Sequence, residues 1–143
     1  MKQFVGILVF VAAWVGSGCS QHTSTNPQPV FVIHGPTIIA FFAPVTAKDL
    51  DNDEDTNEAL SDFQFYNGKV STPLHRAGIE FYEADARSFK VRIGTTVRIY
   101  GTSKAGVGYY FIAPGKEPHI ESGVMTDEDL LGAARKYFRL AIR

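Results

Sequence analysis

The chain has 143 residues, 45% hydrophobic, 13% aromatic and 20% charged, a composition that supports one folded core and excludes both a disordered chain and a second domain. Its formal net charge of -1 excludes the strongly basic character of a nucleic-acid binder. A single cysteine excludes an internal disulfide, a two-cysteine redox pair and a multi-cysteine metal site.

Met1-Lys2-Gln3 makes a weakly positive start, and an uncharged apolar run follows from Phe4 to Val15. That run has the length of a signal-peptide core and is too short to cross a bilayer. Gly16-Ser17-Gly18 then set three small residues directly before Cys19. The arrangement resembles the lipobox of bacterial lipoproteins, where small residues fit the signal peptidase and the new N-terminal cysteine carries the lipids. Gly16 stands where that family usually has Leu. The resemblance covers the first 20 residues. It implies a signal peptide over residues 1–18, lipidation of Cys19, and attachment to membrane lipid in the cell envelope. In lipoproteins of Gram-negative bacteria, a Ser in the place of Ser20 implies the outer membrane, facing the periplasm.

Residues 20–29 are polar, with no large apolar side chain, and fit a flexible tether. Fully extended, ten residues reach about 30 Å. Val30 to Ile33 fits a short edge strand closed by His34-Gly35-Pro36. Residues 19–36 are therefore expected to be lipidated cysteine, tether and edge strand, and residues 37–143 one globular domain. Thr37 to Ala43, apolar throughout and ended by Pro44, predicts a central strand covered on both faces. Beyond an acidic stretch, Ala59, Phe63, Tyr66, Val70, Leu74 and Ala77 recur at helical spacing. Pro73 implies either a kink there or a stop near Gly68 with a restart capped by Thr72, and Gly78 ends the element.

Ile79 to Glu83 starts a further strand, and the alternation of Phe89, Val91 and Ile93 with Lys90 and Arg92 leads into a hairpin with Val97 and Ile99. Keeping Ile93 opposite Val97 requires the three-residue loop Gly94-Thr95-Thr96, and that loop is the preferred reading; a two-residue Gly-Thr turn would pair Val91 with Arg98. Arg87, Lys90, Arg92 and Arg98 are expected to align on the exposed face of this hairpin; the plainer reading is a solvated strand face that also discourages edge aggregation, and the functional one a basic strip for anionic headgroups or an acidic partner. Val107 to Ala113 is apolar on both faces, which assigns Tyr109, Tyr110 and Phe111 to the core. Pro114-Gly115 turns the chain toward a strand around His119 to Ser122. Thr126, followed by three acids, predicts the N-cap of a helix through about Leu140, buried along Leu130, Ala134, Tyr137 or Phe138, and Ala141.

The fold class is α/β, an α+β sandwich with a mixed four- to six-stranded sheet and two main helices. Its order of elements resembles the thioredoxin-like fold over about residues 37–140. Ala43-Pro44-Val45-Thr46 stands where that family has Cys-x-x-Cys, and no proline precedes Val107 where it has its cis-proline. The resemblance therefore implies a scaffold without the family's redox chemistry, because thiol–disulfide exchange needs an attacking thiolate.

Asp51, Asp53 and Asp55 alternate like the first ligands of a calcium loop, but Thr56 replaces the turn glycine and Asp62 the bidentate Glu. The plainer reading is a solvated loop whose carboxylates complement the positive end of the next helix. His22, His34, His75 and His119 lack metal-ligand spacing, and no serine sits in a Gly-x-Ser-x-Gly elbow. The sequence indicates no cofactor and no catalytic residue. It points to a non-catalytic interaction or structural lipoprotein with an envelope protein as partner. The competing readings are an enzyme with a dispersed site, marked by His75 or His119 beside a carboxylate in a pocket, and a ligand or calcium module at residues 49–55.

Overall fold

A computed structural model describes residues 28–43, 54–84, 88–101 and 106–140. In chain order they form β1 (Val30–Ile33), β2 (Thr37–Ala43), α1 (Glu54–Arg76), β3 (Glu80–Ala84), β4 (Ser88–Ile93), β5 (Thr96–Gly101), β6 (Gly106–Ile112), β7 (His119–Ser122) and α2 (Asp127–Phe138). One sheet has the order β3-β2-β6-β7, the other β1-β4-β5. The architecture is an α/β sandwich with a mixed four-stranded sheet and two helices, and the remaining strands form a second sheet of three.

β2 and β6 pair antiparallel through Ile38↔Phe111 and Ala40↔Tyr109 and occupy the middle of the four-stranded sheet. Alternation along them sends Ile38, Ala40, Tyr109 and Phe111 to one face, where they pack with Phe63 and Leu74 of α1 and Leu130 and Phe138 of α2. Ile39, Phe41, Tyr110 and Ile112 face the other way and meet Phe89 and Val91 of β4 in a second core. Helices, four-stranded sheet and three-stranded sheet thus stack as three layers, and the central strands β2 and β6, covered on both faces, carry apolar or aromatic side chains at every position but Thr37 and two glycines.

α1 runs unbroken through Pro73, with neither stop nor restart. Proline cannot bond the carbonyl of Lys69, but Val70 and Leu74 on either side of it are fully buried, and their packing offsets that loss. The buried stripe is Phe63, Asn67, Val70 and Leu74; Asn67 occupies it in place of the expected Tyr66, which is half-buried. In α2 the Thr126 hydroxyl accepts from the Asp129 N–H at 3.2 Å and caps the helix.

β1 pairs parallel with β4 and buries Ile33, so the described fold includes residues ahead of residue 37. The Gln28 amide donates to the Ser88 hydroxyl, and the Lys90 N–H donates to the Pro29 carbonyl at 2.8 Å, fixing the chain onto β4 where the strand starts.

The β4–β5 hairpin corrects the expected register. Ile93 pairs with Thr96 and Val91 with Arg98, leaving the two-residue loop Gly94-Thr95. Gly94 has φ 58°, the conformation that the first central position of a II′ turn requires and that glycine adopts without strain. This register turns Tyr100 inward, stacked on Phe89 at 6.1 Å and edge-on to Tyr110 at 5.2 Å. The alternative would bury Val97 and Ile99, worth about 3–6 kcal/mol, against the burial of the tyrosine ring plus about 1–3 kcal/mol for its two aromatic contacts. The two sums are close, and the tight turn, whose twist matches that of the strands, decides between them.

Gly108 lets β7 and the Phe41 ring approach β6: a Cβ there would lie 2.6 Å from the Glu121 carbonyl oxygen and 2.7 Å from Phe41 Cζ. A backbone carbonyl cannot swing away, so Gly108→Ala is expected to destabilise the domain by about 1–3 kcal/mol. Gly132→Ala, in α2 with nothing within 4 Å of its Cβ, is expected to stabilise it by about 0.5–1 kcal/mol. Urea midpoints moving in opposite directions are the expected result; equal shifts would contradict the packing described.

Candidate functional site

The outer face of the three-stranded sheet follows directly from strand register. Val30, Lys90 and Ile99 are neighbours across β1, β4 and β5, and Val32, Arg92 and Val97 form the next such row. Each row sets a cation between two aliphatic side chains, with strands about 4.8 Å apart. Their sequence neighbours Phe31, Ile33, Phe89 and Val91 fill the core on the opposite face. Val30, Val97 and Ile99 are 57%, 54% and 66% exposed, three of the six large apolar side chains exposed among the described residues. Neither Lys90 nor Arg92 is ion-paired to any described residue.

The register takes Arg98 out of the expected basic strip. Lys90 and Arg92 share this face, while Arg98, shifted by the two-residue turn, lies on the inner side. There it lines a cleft of about 370 Å³ with Thr96, Tyr100, Lys116 and Glu117. Arg87 lies outside the described residues. The aliphatic side chains of β5 take the place on the outer face that sequence reasoning gave to Arg98. The signal for this was Gly94-Thr95, a Gly-first two-residue turn.

Asp51 and Asp53 also lie outside the described residues, as does Cys19. Asp55 is exposed in the first turn of α1, and residues 56–62, which a calcium loop would use, are wound into the helix. Glu54 and Asp55 there complement the positive helix terminus. Among the described residues no group of three His, Cys, Asp or Glu is placed to hold a metal ion.

His34 and His75 are exposed. His119 Nε2 lies 2.6 Å from Glu121 Oε1, with its ring stacked over Tyr137 at a centroid distance of 6.1 Å. The pair borders an open cleft of about 560 Å³ beside Lys116, Lys136 and Arg139. Ser122 alternates to the other face of β7, so that strand brings no nucleophile to the pair. A third cleft of about 550 Å³, between α1 and β3, is lined by Gln64, Asn67, Ser71 and Glu83. Asn67 Nδ2 donates to Glu83 Oε1 at 3.0 Å, while Asn67 Oδ1 is buried without a partner.

No helix among the described residues is long and apolar enough to cross a membrane. Compared with models of protein families, with curated proteins and with solved structures, the chain finds no match.

Tyr109, under α1, is fully buried, and the Met125 backbone lies near its hydroxyl without the geometry of a full hydrogen bond. Burial pushes its phenol up to about 12, opposed by the Met125 backbone and reinforced more weakly by Glu83. A phenol whose folded pKa exceeds its usual value contributes stability that is complete below pH 10 and is lost as pH rises toward 12. Tyr109→Phe is expected to flatten that alkaline decline and, by removing a buried hydroxyl that lacks a full hydrogen bond, to leave neutral-pH stability unchanged or higher by up to about 1 kcal/mol. Urea titrations from pH 7 to pH 12 test this, and identical alkaline slopes for the two proteins would refute it.

Proposed function

We propose that this chain is a bacterial envelope lipoprotein, cut before Cys19 and lipidated on that residue, whose globular domain acts by contact with an envelope partner. The observation that carries the reading is the apolar run Phe4 to Val15 closed by Gly16-Ser17-Gly18 immediately before the chain's one cysteine. A lone thiol has no disulfide to form, and this position is where a lipid anchor needs it. Ten residues, 20–29, then separate Cys19 from the first strand. Ser20 favours the outer membrane in a host that has one.

The scaffold we infer is thioredoxin-like without its redox site. In support, β2 and β3 are parallel and joined through α1, β6 and β7 follow antiparallel, and both helices pack on one face of the order β3-β2-β6-β7. Ala43-Pro44-Val45-Thr46 supplies no thiol where that chemistry would need one, which favours contact over catalysis. A second reading, an enzyme, draws on the His119–Glu121 pair beside its cleft, a carboxylate-oriented imidazole of the kind a general base requires. Retained cleavage of a small ester or phosphate substrate that His119→Ala abolishes would establish it.

Growing cells with an alkyne fatty acid tests the anchor. The wild-type chain is expected to take up the label and to sediment with membranes, and Cys19→Ala to lose both. An unlabelled wild type would overturn the proposal.

A further inference from the structure

We propose that the outer face of the three-stranded sheet is a docking surface for an anionic bilayer, laid against the membrane that the lipid anchor engages. The proposal rests on the anchored reading above. Its first ground is composition and register: Val30–Lys90–Ile99 and Val32–Arg92–Val97 are two rows in which cations sit between aliphatic side chains, with no acid in either row. Long basic side chains can hold their charge among headgroups while branched aliphatics beside them enter the acyl boundary.

The second ground is position. The chain leaves the tether at Gln28 and Pro29, both bonded to β4, and Val30 on this face is the first strand residue. Only residues 20–27 separate that point from Cys19, so an anchor on Cys19 brings this sheet, before any other element, within about 30 Å of the lipid surface. The third ground is charge. On the far side of the four-stranded sheet α1 and α2 together carry seven acids, five of them in the first turns, against four lysines and arginines, whereas β1, β4 and β5 carry three such bases and no acid. An anionic surface repels those turns and attracts Lys90 and Arg92, which orients the domain with the three-stranded sheet down.

A second copy of the chain fits the face less well. Stacking two such faces about a two-fold axis brings the central column of Lys90 and Arg92 against itself. Two rows on three strands also cover far less than the roughly 800 Å² per partner of a stable protein interface.

The test is amine footprinting of the full chain on vesicles. The thiol of Cys19, the only cysteine, is coupled to a maleimide lipid, so the domain is presented on the vesicle whether or not cells lipidate it. Failure of the anchor proposal, read by the fatty-acid label, is thereby separated from failure of this one. Vesicles of phosphatidylcholine alone are compared with a phosphatidylcholine–phosphatidylglycerol mixture. Lys90 reactivity is expected to fall by about tenfold on the mixture, while Lys136 of α2 stays unchanged. The double variant Val97→Asp, Ile99→Asp changes only exposed side chains and is expected to abolish the protection with circular dichroism unaltered. Equal Lys90 reactivity on both vesicles, or equal protection of every lysine, would overturn the proposal. So would Lys90 protection that appears without vesicles and grows with protein concentration, since that outcome assigns the face to a second copy.

Discussion

The antiparallel pairing of β2 with β6 is the constraint from which the rest follows. Because seven residues of each strand are matched in register and both faces are covered, this pair forces a helix layer on one side and a sheet layer on the other. The helix side takes Tyr109 and Phe111, the sheet side Tyr110 and Ile112, so consecutive residues of one strand belong to two cores. Gly108 is the point at which that strand gives up a side chain to admit Phe41 and the β7 backbone.

What could be read in advance tracks how strongly burial specifies each element. Thr37 to Ala43 and Val107 to Ala113 were legible as central strands because strands buried on both faces permit no polar alternation. The Thr126 cap was legible because its partner is three residues away. The two-sheet division was not, because an alternating strand shows that one face is buried and not against what. Asn67 escaped for the opposite reason: a polar residue at a core position of α1 is a local exception, held by Glu83 from a strand the helix spacing does not reveal.

The β4–β5 hairpin shows how much function can turn on one residue of register. Its two candidate pairings bury different side chains of similar total worth, so hydrophobic pattern alone leaves them nearly balanced. Gly94 resolves the balance through turn geometry, and Tyr100 confirms it by joining Phe89 and Tyr110. The cost is that Val97 and Ile99 face solvent. The turn thus fixes which side of the hairpin is apolar toward solvent, and the docking proposal rests on that placement.

A face with two cations and four aliphatic side chains is weak by itself, since a basic residue near an anionic surface contributes about 1 kcal/mol and falls off within a Debye length of roughly 8 Å. Under the proposed anchor that weakness suits the role. The eight residues between Cys19 and Gln28 keep the local concentration of membrane surface high, so the face has to select an orientation and need not supply the affinity. The orientation it selects turns the clefts beside Asn67 and beside His119, which lie at the edges of the four-stranded sheet and its helices, away from the lipid and toward soluble partners. On this view the three-stranded sheet stands where the domain meets its membrane, and the helix layer is the side left free to meet protein.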